Sequence, residues 1–257
     1  MPTFTRKGIE LYYEDIGEGR PLLLLHGLTS NSAMFYREIE FFKDKQRIIA
    51  MDSRGHGNSS RQDSYTLQDH IEDAYALMSY LKLETVDVLG VSMGSYIAQG
   101  LAIKYAEKVS KLILVATKSH GRQSSMAELF ERHKEIFEGL SMLEKFAASS
   151  SYIYHNQPLI DEWLSKTAEQ SRQLTMQEQI TASEALKEFD FRNQLSQITA
   201  ETLVISGKFD GLNPPEKGRE TAVAIPDATF MEFKRSGHGP NVEQAQLFLA
   251  VVDNFLE

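Results

Sequence analysis

The 257-residue chain contains no cysteine. That excludes a thiolate nucleophile, a cysteine-ligated zinc site and any disulfide framework, and it fits a reducing compartment. An excess of basic charge is also missing: 36 Asp and Glu against 27 Lys and Arg leave a formal net charge of −9. A broad nucleic-acid footprint needs clustered Lys and Arg, so nucleic acid is not an expected partner. The opening MPTFTRKGIELYYED holds no apolar core of signal-peptide length, and the aliphatic run at 22–25 is far too short to cross a bilayer. No internal repeat and no low-complexity tail stands out. These absences lead us to expect a soluble, cytoplasmic protein that does not engage a membrane.

What is present is ordinary globular composition, 42% hydrophobic and 25% charged, in a length that suits one core carrying an insertion. Residues 9–13 (IELYY) alternate in part and suggest a half-exposed strand near an edge. Residues 22–25 are apolar without a break between Pro21 and His26-Gly27, as in a strand buried on both faces. Residues 47–51 are similar and run into the polar loop DSRGHGNSSRQ. A helix is predicted over 67–83, with Thr66 as N-cap and Asp69 at the capping-box position. A strand at 85–89, a helix at 92–106 and a buried strand at 111–116 follow. Alternation resumes with a strand at 201–206, a helix after Pro214-Pro215, a strand at 228–233 and a closing helix over 242–256. Repeated strand–helix alternation with buried strands predicts a doubly wound α/β sheet.

Residues 118–198 break this pattern. They show no convincing strand and predict three or four helices, with breaks at Pro158 and at Ser149-Ser150-Ser151. We therefore expect a core formed by residues 1–117 and 199–257 and a helical lid formed by 118–198, over the end of the sheet where ligands bind. Met126, Phe130, Phe137 and Trp163 are its candidate lining residues.

Gly90-Val91-Ser92-Met93-Gly94 fits G-x-S-x-G between a strand and a helix. A strand that turns abruptly into a helix strains the central residue, and only glycine two residues either side lets the chain pass so closely. The hydroxyl of Ser92 then projects above the sheet. At neutral pH it needs a base to act as a nucleophile. Among seven histidines, His238 stands apart: Ser236-Gly237-His238-Gly239-Pro240 lies between the last strand and the last helix, at the ligand-binding end. An imidazole base needs a carboxylate to fix its tautomer. LVISGKFDG supplies Asp210 just past a strand, whereas the segment after the strand at 111–116 carries no acid until Glu128. An oxyanion hole needs two backbone N–H groups. Met93, after the serine, and Leu28, in the turn HGLT, are the candidates.

On the motifs HGLTSNSAMF, DSRGHGNS, GVSMGSYIAQ and the pair SGKFD…SGHG, the chain resembles the α/β-hydrolase superfamily over essentially its whole length. It looks most like the small carboxylesterase, enol-lactonase and cofactor-free haloperoxidase group. The resemblance implies an α/β-hydrolase fold, and it makes Asp52-Ser53-Arg54-Gly55-His56-Gly57 a structural turn without chemistry. Ser95 stands where members often have a further glycine, and Lys208 where many have Glu. A serine at position 92 disfavours the branches that form an ester on Asp. The function expected is that of a serine hydrolase acting on small or medium carboxylic esters through Ser92, Asp210 and His238, with a small-molecule ester or lactone as partner. No metal or organic cofactor is required. Lactone or enol-lactone hydrolysis, C–C bond cleavage by the same residues, and ligand capture without turnover are the alternatives.

Overall fold

A computed structural model describes residues 2–170 and 172–257, the side chain of Leu143 excepted. The N-terminal half alternates as its apolar runs predict. It comprises strands β1 (Thr3–Arg6), β2 (Ile9–Ile16) and β3 (Pro21–Leu25), helix α1 (Tyr36–Phe42), strand β4 (Arg47–Met51), helix α2 (Leu67–Tyr80), strand β5 (Val86–Val91), helix α3 (Met93–Lys104) and strand β6 (Val109–Val115). Strand β7 (His120–Gly121), helices α4 (Ser125–Arg132), α5 (Lys134–Phe137), α6 (Met142–Ile153), α7 (Gln157–Ala168) and α8 (Met176–Glu184), and strand β8 (Phe189–Asp190) come next. Strand β9 (Glu201–Gly207), helix α9 (Pro215–Ala224), strand β10 (Ala228–Phe233) and helices α10 (Pro240–Glu243) and α11 (Ala245–Leu256) complete the chain.

Eight strands form one sheet in the order β1-β2-β4-β3-β5-β6-β9-β10, antiparallel at its first two pairings and parallel thereafter. The two-residue period of a strand sends alternate side chains to opposite faces. Leu23 and Leu25 accordingly join Ile71, Leu77 and Leu101 of α2 and α3 on one face. Leu22 and Leu24 join Phe42, Phe248 and Val252 of α1 and α11 on the other. Coverage of both faces is why the central strands read as unbroken apolar runs. The capping box at Thr66 and Asp69 forms as expected.

Four secondary-structure expectations differ from the structure. Residues 118–198 form five helices, α4 to α8, where three or four were expected, because His133 leaves the helical conformation (φ −118°, ψ 40°) and separates α4 from the short α5. The closing helix is two helices, because Gln244 leaves the helical conformation (φ −130°, ψ 49°) and its Oε1 accepts from the Arg235 N–H at 2.8 Å. The segment expected to lack strands contains β7 and β8, whose antiparallel pairing joins its two ends; two-residue strands leave no alternation to read. The serine run at 149–151 lies inside α6 and does not break it. Ser149 Oγ bonds the Phe146 carbonyl and Ser150 Oγ donates to Gln157 Oε1, so both hydroxyls are satisfied without disturbing the helix. Pro158 sits in the first turn of α7, where its missing N–H costs nothing. Among the described residues, no helix is long and apolar enough to cross a membrane.

The turn following β4 is a buried polar assembly. Asp52 accepts the Ser32 and Asn58 N–H groups at 2.7 Å each, and Arg54 forms a paired bond with Asp73 at 2.6 and 2.7 Å. Beside it, His26, His56 and His70 lie ring beside ring in a row, tilted to one another by 54° and 58°, and are fully buried. Burial lowers His26 to about 4 and His56 to about 3, and lowers His70 as well. In the unfolded chain these imidazoles titrate near 6.5, so it binds their protons first, and the stability they contribute falls as the pH drops below that value. Glu38, raised by burial to about 7, works in the opposite direction, and Asp52 and Asp87, also raised by burial, trim the loss. Unfolding free energy from urea titration should therefore fall by up to about 2 kcal/mol between pH 7 and about pH 5.5. His70→Leu, which removes two ring nitrogens without partners, should flatten that slope; an unchanged slope would remove His70 from the account.

Candidate active site

The strand–turn–helix at Ser92 shows why its neighbours are glycines. Ser92 has φ 52° and ψ −116°, a positive φ that an L residue adopts only under strain. A Cβ on Gly94 would lie 1.9 Å from the Leu25 carbonyl oxygen, so the start of α3 can abut β3 only with glycine there. Ser92 N–H donates to the Val115 carbonyl at 2.9 Å, which anchors the turn to the neighbouring strand. Ser95, where the resemblance implies a further glycine, donates from Oγ to the Ser92 carbonyl at 2.6 Å, with Thr117 Oγ1 2.7 Å away. The departure from glycine thus adds a brace beneath the turn.

Asp210 and His238 stand beyond β9 and β10, next to this serine. His238 Nδ1 lies 2.8 Å from Asp210 Oδ2, and Nε2 lies 2.9 Å from Ser92 Oγ. An ionised carboxylate only accepts, so the shared hydrogen belongs on Nδ1; Nε2 is then the acceptor for the serine hydroxyl. Asp210 Oδ1 is occupied separately, accepting the Leu212 and Asn213 N–H groups at 2.9 and 2.8 Å. Asn213, buried, donates from Nδ2 to the Ala116 carbonyl and to the Tyr96 hydroxyl, at 2.7 Å each. Burial raises Tyr96 to about 12, so its hydroxyl stays neutral.

Met93 is the first residue of α3 and is fully buried, leaving its backbone at the helix start beside Ser92. Leu28 lies in the turn after β3. A Cβ on the preceding Gly27 would come 3.6 Å from Ser92 Cβ, which brings that backbone alongside the serine.

One element that the sequence reading missed is Glu243 in α10. The residue is 7% exposed, and its carboxylate accepts four backbone N–H groups from two separate segments. Oε1 takes Gly237 at 2.8 Å and Gly239 at 3.3 Å, on either side of His238. Oε2 takes His155 at 2.9 Å and Asn156 at 2.8 Å, in the turn between α6 and α7. The His238 N–H also donates to the Ile153 carbonyl at 2.8 Å, and the Gly211 N–H to Tyr152 at 3.0 Å. A Cβ on Gly237 would sit 2.3 Å from the Ile153 oxygen, so glycine is what allows this approach. No residue type signals such a site: the partners are main-chain groups, some nearly ninety positions away.

A cavity of about 810 Å³ opens over Ser92 and His238. Met126, Phe130 and Trp163 line it as expected. Phe137 does not; at 1% exposure it packs with Leu129 and Ile153 in a separate cluster of the inserted helices. Leu28 and Gly27 also face the cavity.

Residues 20–245 match the alpha/beta hydrolase fold family, and the chain belongs to it. It is 29% identical over 259 residues to 3-oxoadipate enol-lactonase 2 of Acinetobacter baylyi, covering 98% of this chain and 94% of that one. It is 30% identical over 266 residues to a 2-hydroxy-6-oxononadienedioate/2-hydroxy-6-oxononatrienedioate hydrolase of Pseudomonas putida, covering 96% and 92%. The solved structure of an esterase from Exiguobacterium antarcticum superposes with a TM-score of 0.82 at 26% identity, covering 97% of both chains.

Proposed function

We propose that this hydrolase cleaves carboxylic esters through Ser92, His238 and Asp210, by way of an acyl-enzyme. The observation carrying this reading is the bridging imidazole, 2.9 Å from the serine oxygen and 2.8 Å from the carboxylate. Ser92 attacks the carbonyl carbon as His238 Nε2 takes its proton, and Asp210 stabilises the imidazolium that forms. The N–H groups of Met93 and Leu28 receive the developing oxyanion. His238 returns the proton to the leaving alcohol, then deprotonates a water that releases the acid. Residues 118–198 serve as the lid that supplies much of the cavity wall. Full-length likeness to a dienedioate hydrolase supports a second reading, carbon–carbon bond hydrolysis by the same three side chains.

A fluorophosphonate probe should label the protein once per chain, on the peptide containing Ser92, and para-nitrophenyl esters should be turned over with an initial burst. Labelling elsewhere would overturn the nucleophile. Labelling at Ser92 with turnover only of a vinylogous diketone would favour the second reading.

A further inference from the structure

The walls of the cavity above Ser92 are mostly apolar, with uncharged hydroxyl and amide side chains such as Ser125 and Gln179 among them. Met126 and Phe130 come from α4, Phe146 from α6, Trp163 from α7 and Ile180 from α8. At its mouth Met142, Met176 and Ile180 are about half exposed. Among the described lining residues Lys118 is the only lysine or arginine, and its charge is already matched. Its Nζ donates to Glu128 Oε2 at 2.9 Å, and the lysine side chain is almost wholly buried. The lining carboxylate Glu184 is exposed and paired with Lys187. A substrate carboxylate entering this space would lose its hydration without gaining a free cation, and an unpaired buried charge is costly.

We propose that the site selects uncharged esters with an extended apolar acyl chain and rejects esters whose acyl chain ends in an ionised carboxylate. For turnover this selectivity rests on the serine-hydrolase reading above; for binding it rests on the cavity alone. The unbranched, polarizable methionines suit acyl chains of varied length, because they repack at little cost.

The matched pair that tests it is para-nitrophenyl octanoate and the mono-para-nitrophenyl ester of suberic acid, equal in length and differing by one terminal carboxylate. kcat/KM should favour the octanoate by about 100-fold or more, and should rise up to about fourfold per methylene from butyrate to octanoate. Equal or better turnover of the suberate ester would overturn the proposal. The second arm uses Ser92→Ala and calorimetric titration with methyl octanoate and monomethyl suberate. Tighter binding of methyl octanoate supports the cavity preference even if the wild type hydrolyses neither ester, in which case the hydrolase reading alone fails. Equal binding overturns the preference. In Glu128→Gln, Lys118 loses its carboxylate partner and a substrate carboxylate can take that place, so the preference for the neutral ester should narrow by about tenfold or more. An unchanged ratio would overturn the role given to the Lys118–Glu128 pair.

Discussion

If the chain is the ester hydrolase proposed above, Ser92→Ala should lower kcat toward a para-nitrophenyl ester by at least about 10⁴-fold, with KM nearly unchanged. Among the described residues, no other hydroxyl is hydrogen-bonded to the imidazole: the Ser92 oxygen is 2.9 Å from Nε2, and the other side of the ring is held by Asp210. Residual activity would come from the oxyanion donors and from binding alone. If the three side chains act as one unit, as proposed, Ser92→Ala combined with His238→Ala should be scarcely worse than either change alone. Ser92→Gly separates chemistry from stability. The residue sits at φ 52° and ψ −116°, where glycine is at ease and an L residue is strained. The glycine variant should be as inactive as the alanine variant yet more stable than it by about 1 kcal/mol, read from urea midpoints. A glycine variant less stable than the alanine one would show that the turn is not strained.

Glu243→Gln is the second large effect, and it leaves Ser92, His238 and Asp210 untouched. In the native protein one carboxylate accepts the N–H groups of Gly237 and Gly239 on one side and of His155 and Asn156 on the other. Gln offers a single carbonyl oxygen, and its NH₂ must face two N–H donors. One pair is therefore left unsatisfied in a buried site, at about 1–3 kcal/mol. We expect kcat to fall by about tenfold or more through loss of His238 alignment, since small misplacements of a reacting group carry large costs. KM should change much less. Glu243→Ala, with no acceptor at all, should be the least stable variant by thermal melting.

Legibility in the sequence followed how local each signal was. The turn at Ser92 was readable because its physical requirement, small residues at fixed offsets, is written in adjacent positions. The central strands were readable because coverage on both faces leaves an unbroken apolar run, as at 22–25. Asp210 and His238 were found by position after successive strands, and the fold brings them within hydrogen-bond reach of each other and of Ser92. Features made by main-chain partners left no such trace. The break at Gln244 depends on a side chain reaching back to Arg235, and the role of Glu243 depends on four N–H groups that any residues could present. Phe137 was misplaced for a related reason: hydrophobic spacing marks a buried face but not which neighbour buries it, here Leu129 and Ile153 rather than the cavity.

The pairing of β7 with β8 holds the two ends of the inserted segment one strand spacing apart, about 4.8 Å. Everything between those ends is closed as a loop at its base, so a change in length between its helices need not separate the strands that flank it, although Ile160, Trp163, Leu186 and Phe189 pack into the core beside the sheet. The insertion is in that sense a replaceable cartridge. A different helical segment could be grafted at His120 and Asp190 to reshape the chamber above Ser92 for another substrate. The graft would have to keep the end of α6 and the turn after it, where the Tyr152 and Ile153 carbonyls accept the Gly211 and His238 N–H groups and His155 and Asn156 donate to Glu243, or the loops that carry Asp210 and His238 would lose their anchor.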